Sequence, residues 1–476
     1  MLYTKEEVRG AEAVFRYFED ISKIPRGSGN HGGIVRYLVD FAKAHGLAYV
    51  HDGADNVIIR KAASAGMENR PTVVLQGHTD MVAVKTADCK KDMEKDGLDL
   101  LRDGDFLRAT GTSLGADDGT FVAYALAVLS DDTLVHPAIE ALFTSDEEIG
   151  LLGAAALDPA DLRGRTVINL DCGGEGVFTV GCAGGVRCDS DLPVTSGPVS
   201  MGRAYRVSLS GLTGGHSGVE IGKGRANALH LLADLLYNAR PVRIAAFDGG
   251  TVDNAIPREA EADVVTDALT PDVAERFLAS VKDVYGDTDP DLTLDIEECP
   301  LPAVALTEAD SDRVLTLFES VPNGVVAMSR DIEGLVETSL NAGVAHLGAD
   351  GFALTVSVRS AVEAGKRTLI EALKAATEAV RGTFSTRGDY PAWEYRKNSP
   401  LREKIAAVYQ KMYGRDARFE TIHAGLECGI FAGKMPDMDA VAMGPDCFDE
   451  HSTEEHLSVS STVRVYEFLV ELLRSF

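Results

Sequence analysis

The chain has 476 residues, 74 of them Asp or Glu and 46 Lys or Arg, for a formal net charge of -28; 45% are hydrophobic and the mean hydropathy is -0.02. That length exceeds what one hydrophobic core supports, so two globular domains are expected. So strong a negative charge repels the phosphates of nucleic acid and anionic membrane surfaces, which argues against both as partners and leaves cationic or metal-bearing ligands.

The opening MLYTKEEVRG has no apolar core of signal-peptide length, and no segment offers about eighteen uninterrupted apolar residues, so a cytoplasmic address is expected. Over roughly the first 180 residues short strand-like runs alternate with helical stretches, the signature of a layered α/β domain. Residues 72–76, 138–143 and 166–170 are its clearest strands, and TFVAYALAVL at 120–129 is a helix apolar on every side and therefore buried. The Gly-rich runs GGEG at 173–176 and GCAGG at 181–185 then interrupt the pattern. From 187 to 395 the strands, such as 205–209 and 354–358, alternate apolar and polar residues, as antiparallel strands with one covered face do. Helices at 224–238, 271–284 and 366–380 pack on them, so this block is α+β. After Pro400 an α/β character returns, with a strand at 440–443 and an amphipathic helix at 461–476. The expected organisation is a catalytic domain in two parts, 1–186 and 396–476, with an inserted domain at 187–395. The seven cysteines (89, 172, 182, 188, 299, 428 and 447) contain no C-x-x-C pair and read as unpaired thiols.

Ligand chemistry in open α/β sheets gathers at the carboxyl ends of strands, so polar residues just past a strand are the ones to collect. Five places emerge: GHTDMV with His78 and Asp80; TSLGADDGT with Asp117 and Asp118 between Gly115 and Gly119; FTSDEEIG with Asp146, Glu147 and Glu148; LDCGG with Asp171; and GPDCFDEHSTEEH with His451 and His456. Each alone is weak, because an acid after a strand is more often a helix cap and a histidine there more often a hydrogen-bonded structural residue. Together they supply imidazoles and carboxylates suited to Zn²⁺, Mn²⁺ or Co²⁺. The excess of acids points to two metals, since one carboxylate can bridge a pair and uncompensated neighbours would otherwise have to bind protons.

GHTDMV, GTSLGADDGT, FTSDEEIG, NLDCGGEG, GCAGG, GLTGGHSGVEI, DNAIPREA, HAGLECGIF and HSTEEH, in this order over nearly the whole chain, resemble the cytosolic aminoacyl-histidine dipeptidases, or peptidase D, of the two-zinc aminoacylase and carboxypeptidase clan. The resemblance implies a zinc-peptidase-like α/β catalytic domain, its central mixed sheet between helices, and an inserted α+β lid. It implies that His78 and Asp171 hold one zinc, Glu148 and His451 the other, and Asp117 bridges them. Asp80 orients the His78 imidazole. Glu147 is the general base of a two-metal-activated water, and Asp146 serves the turn. The peptide bond after Asp117 is implied to be cis, with Asp118 positional rather than ligating. His456 competes with His451, but the H-S-x-x-E context matches at 451, which leaves His456 on the surface. In the inserted block, His216 matches a histidine that stabilises the tetrahedral oxyanion. Asn254 and Arg359 match positions that hold a substrate carboxylate, and Glu427 one that meets the substrate's α-amino group.

Those carry-overs imply a metal-dependent dipeptidase for unblocked dipeptides, Xaa-His included, with small peptides as partners and a homodimer allowed. The alternatives are an N-acyl amino acid deacylase or tripeptidase of the same clan, or a catalytically silent metal-binding homologue. The sequence departs from the family pattern in the Asp-Asp pair, where Asp-Asn is common, in HST for HSP, and in VAVK at 82–85. The first two remove no ligand; the third bears on fine substrate preference.

Overall fold

The computed structural model describes residues 2–171 and 173–476, so Cys172 lies outside the described residues; Cys89, Cys188, Cys299 and Cys447 carry free thiols. The chain forms two compact units. The first comprises the chain up to Cys182 with Tyr395–Thr421 and Leu426–Phe476; the second comprises Ala183–Glu394 with Ile422–Gly425. Among the described residues no helix is long and apolar enough to cross a membrane.

The first unit is built on an eight-stranded mixed sheet, in the order Ala48–His51, Val57–Lys61, Ile139–Thr144, Val73–His78, Thr166–Asn169, Asp439–Ala442, Val177–Cys182 and Arg418–Ile422. Its middle four strands run parallel. Parallel strands are covered on both faces, and every residue of Val73–His78 and Ile139–Thr144 is buried. The covering helix Ala116–Ser130 buries every residue from Asp118 to Leu129, which is why its sequence shows no polar face. Beside it lies Glu12–Ile21, whose stripe of Val14, Phe15, Tyr17, Phe18 and Ile21 is buried. Because the four strands are parallel, their carboxyl ends and the loops that follow share one edge of the sheet. The strand expected at 72–76 runs two residues further, so that His78 is its last residue rather than the first of a loop. A separate four-stranded sheet pairs Cys447–Phe448 with His456–Ser458, and its turn carries His451.

The second unit is an antiparallel nine-stranded sheet, in the order Thr293–Glu298, Ala204–Ser210, Ala260–Val265, Arg243–Gly249, Val336–Gly348, Gly351–Ser360, Gly184–Leu192 and Thr383–Tyr390, with Gly324–Met328 beside Val336–Gly348. The helices Ala228–Asn238, Pro271–Tyr285, Glu308–Ser320 and Glu363–Ala379 accompany it. The first of these starts later than the sequence expectation of 224. Gly224 sits at φ +68, and the Asn227 side chain accepts the His230 N–H at 3.2 Å, so the helix is capped at Asn227.

Candidate metal centre

Five chain segments meet near the carboxyl edge of the parallel strands. His78 ends its strand with 1% of its side chain exposed. Its Nε2 lies 3.0 Å from one Asp117 oxygen and 3.7 Å from Asp171 Oδ1. The other Asp117 oxygen lies 3.0 Å from His451 Nε2, which is also 3.0 Å from Glu148 Oε2. One carboxylate thus stands between two imidazoles, with Asp171 on the His78 side and Glu148 on the His451 side. Asp117 reaches this position from the first turn of helix Ala116–Ser130, where the Asp117–Asp118 peptide bond is cis.

Among the described residues three sets of potential ligand atoms lie within 4.8 Å of one another: His78, Asp118 and Asp171; His78, Glu147 and Glu148; and Asp117, Glu148 and His451. The first set includes Asp118, but its two carboxylate oxygens accept the backbone N–H groups of His78 (3.3 Å) and Phe121 (3.2 Å), which ties it to the scaffold. Among the described residues Glu148 Oε1 is buried and makes no hydrogen bond. A buried carboxylate oxygen with no partner is costly unless a cation or proton satisfies it. Two imidazoles and three carboxylates, one of them with that orphaned oxygen, fit a pair of divalent cations.

The electrostatics carry the mark of excess negative charge. Burial pushes Asp171 well above the usual carboxylate range, and the surrounding acids push it further. Burial does the same for Glu147, which is half-buried beside Asp171, Glu427 and Glu148. For His78 burial opposes protonation, but the Asp171 charge and the Asp117 contact outweigh it and raise the imidazole well above its ordinary value. His451 is pushed up to about 11, first by its hydrogen bond to Asp117 and then by that to Glu148. Without metal, protonated imidazoles neutralise carboxylates at the places where cations would do so.

Asp80 holds two of the converging segments together. Its carboxylate accepts the N–H groups of Glu147 (3.1 Å) and Glu148 (3.4 Å) and the Ser28 hydroxyl (2.8 Å). The His78 Nδ1 is 3.5 Å from that carboxylate and 3.1 Å from the Asp80 backbone carbonyl. Burial raises the Asp80 carboxyl, but the His78 and Ser28 contacts win and bring it down to about 2. Asp146, at φ +50, accepts the Gly29 N–H at 2.7 Å. Glu427 is fully buried at the start of helix Glu427–Lys434, with Oε2 bonded to Gln76 (2.5 Å) and Thr144 (2.6 Å) and Oε1 unpartnered among the described residues. Burial pushes its carboxyl up to about 7. His456 is partly rather than fully exposed: its ring packs against Phe106 and Phe448, and its Nδ1 is 2.8 Å from the Glu454 carbonyl.

The remaining expected residues belong to the second unit. The His216 Nδ1 accepts the N–H groups of Gly218 and Val219, each at 3.2 Å, which leaves the proton of the neutral ring on Nε2. Burial lowers its proton affinity and Arg359 lowers it further. Arg359, 9% exposed, donates to the Tyr390 hydroxyl at 3.0 Å, and among the described residues its Nε makes no hydrogen bond. Asn254 is exposed, and its backbone carbonyl accepts the Ser217 N–H at 2.8 Å. His423, buried and 2.7 Å from the Ser339 hydroxyl, sits near Arg359 and His216.

Sequence reasoning passed over His423, although it heads the quoted HAGLECGIF. It also passed over Arg26 and Glu455. The Glu455 carboxylate accepts the N–H groups of Leu114, Gly115, Ala116 and Asp117 at 2.7 to 3.3 Å. No local pattern marked it, because the partners of Glu455 are backbone groups some 340 residues earlier in the chain.

A family model described as Peptidase family M20/M25/M40 matches residues 74–475. The chain is 36% identical over 465 residues to the cytosol non-specific dipeptidase of Escherichia coli (strain K12), with 96% of each chain covered. Among solved structures, the aminoacylhistidine dipeptidase from Vibrio alginolyticus superposes with a TM-score of 0.92 at 33% identity, over 100% of this chain and 98% of that one. The aminopeptidase PepT from Bacillus cereus ATCC 10987, at 16% identity and a TM-score of 0.56 over 98% of each chain, shares the fold alone.

Proposed function

The chain belongs to peptidase family M20/M25/M40 and is a peptide-bond hydrolase, and on that premise we propose that it cleaves unblocked dipeptides, Xaa-His among them, in the cytoplasm. His78 and Asp171 would hold one divalent cation, Glu148 and His451 a second, with Asp117 between them. The observation that supports this most is the Asp117 carboxylate standing 3.0 Å from an imidazole on either side. Divalent cations, zinc first with manganese or cobalt as alternatives, supply Lewis acidity that lowers the pKa of water and polarises a scissile carbonyl.

Glu147 takes a proton from the attacking water as the new C–O bond forms and delivers it to the amide nitrogen as the C–N bond breaks. Its surroundings suit a base that must hold and release a proton, because burial and the charges of Asp171, Glu427 and Glu148 keep its proton affinity high. Asp80 orients this base through the Glu147 N–H. His216 would donate its Nε2–H to the oxyanion, and the lowered proton affinity keeps it a neutral donor. Arg359, with an unsatisfied Nε, would take the substrate carboxylate together with Asn254. Glu427, with one free oxygen, would meet the α-amino group.

The testing experiment is hydrolysis of a small dipeptide panel by the zinc-reconstituted chain, each peptide offered with a free and an acetylated N-terminus. Turnover of the free peptides alone is expected. Preferential turnover of the acetylated ones would move the assignment to an N-acyl amino acid deacylase.

A further inference from the structure

Arg26, in the segment PRGSG, is buried at 2% exposure and lies among the charges of Glu455, Asp80, Asp118 and Asp117. Among the described residues it makes no bidentate carboxylate pair. Its Nη1 donates to the carbonyls of Thr79 (3.0 Å) and Asp80 (3.1 Å), and its Nη2 donates to the carbonyl of Gly115. The first two carbonyls belong to the turn that follows His78, and the third to the turn that presents Asp117. From the opposite side Glu455 takes the N–H groups of 114 to 117. The peptide unit between Gly115 and Ala116 is therefore bonded by a guanidinium at its oxygen and by a carboxylate, at 2.7 Å, at its nitrogen.

The glycines that bracket the Asp-Asp pair make room for this arrangement. Gly115 sits at φ +65, and a Cβ there would lie 2.6 Å from Arg26 Nη2; a Cβ on Gly119 would lie at the same distance from the same atom. A buried guanidinium costs several kcal/mol unless oppositely charged and hydrogen-bonded neighbours offset it. Here those neighbours are backbone groups of the two segments whose separation decides how far His78 stands from Asp117.

Granting the two-cation reading, we propose that Arg26 and Glu455 act jointly as positioning residues. They grip the segment before Asp117 from its carbonyl and amide sides, lock it to the turn after His78, and so set the ligand spacing of the metal centre. Arg26→Lys keeps the charge and loses the fork; Glu455→Gln keeps the volume and turns one acceptor into a donor facing N–H groups.

The test measures zinc dissociation constants by competition with a chromogenic chelator, the melting midpoint of the metal-stripped chain, and kcat and KM on a dipeptide. Each single variant is expected to weaken zinc by about 10- to 100-fold. The double variant should lose less than the product of the two. kcat should fall with KM held, and the zinc loss should exceed what any drop in the metal-free midpoint accounts for, since unpairing these buried groups also costs stability without metal. Zinc affinity equal to wild type in both variants overturns the inference, as does a loss that only tracks a lowered metal-free midpoint. Should Arg26→Lys not fold, Gly119→Ala leaves the charge in place and adds one methyl against Nη2; weakened zinc supports the brace and wild-type affinity overturns it. A wild-type chain that retains no zinc against the chelator overturns the metal reading and this inference with it.

Discussion

His451 in the first unit and His423 in the second carry the same side chain and opposite proton affinities. His451 is pushed up to about 11 by hydrogen bonds to Asp117 and Glu148; His423 is pushed down to about 4 by burial and then by Arg359. His78 follows the first pattern and His216 the second. The surroundings of each ring therefore decide its role. Imidazoles set among more carboxylates than they can neutralise suit a site that cations would share, and imidazoles set beside a guanidinium stay neutral and suit a site where the positive charge would meet an anion.

The largest expected effect breaks the chemistry of the acidic region without touching its cation capacity. Glu147→Ala should lower kcat by about 100- to 10,000-fold, while zinc content by elemental analysis stays that of the wild type; loss of both ions would make Glu147 a ligand instead of a base. The next effect probes the other region. His216→Ala should cost about 100- to 1,000-fold in kcat if it stabilises an oxyanion. A change confined to KM would mean that it binds the ground state and that the neutral-donor half of the comparison is wrong.

Acidification separates the two regions further. His423 has a folded proton affinity below its unfolded value, so the unfolded chain binds the proton better. Its contribution is present above about pH 6.5 and is lost as the pH falls toward about 4. At full loss that is about 3 kcal/mol, from 1.36 kcal/mol per pH unit. In the metal-stripped chain His451 has the reverse sign, its contribution being present below about pH 6.5 and lost as the pH rises toward about 11. Urea unfolding of the wild type and His423→Gln across this acid range should show a steeper fall for the wild type. Equal slopes would remove His423 as the cause.

The parallel strands and the acids after them are legible because both leave local patterns. An apolar run ending in GHTD, SDEE or NLD puts its polar residues just past a strand, and strand order does the rest. Arg26 and Glu455 are not legible because they act on backbone atoms, which no residue pattern records, and because Glu455 meets its partners across some 340 positions of sequence. The glycine bracket at 115 and 119 is visible, but its cause, a guanidinium from far earlier in the chain, is tertiary. The helix start expected at 224 comes too early because an apolar run does not reveal a cap, whereas the Asn227 side chain does. His456 reads as a surface residue because aromatic partners from another strand cannot be seen from its neighbours.

The smallest effect contrasts two helix starts. In the second unit, helix Pro271–Tyr285 buries Val281 alone, and its first turn is satisfied by Thr270, whose hydroxyl accepts the Val273 N–H at 3.4 Å. In the first unit, Glu455 satisfies the start of helix Ala116–Ser130 from outside the helix. Thr270→Ala should cost about 1 kcal/mol in urea unfolding, the usual worth of such a cap, because water can replace the lost acceptor at an exposed helix end. kcat, KM and zinc affinity should not move, since nothing that Thr270 touches leads to a substrate or metal group. A shift in zinc affinity would mean that helix capping anywhere in the chain reaches the metal centre, and Glu455 would then hold no special place there.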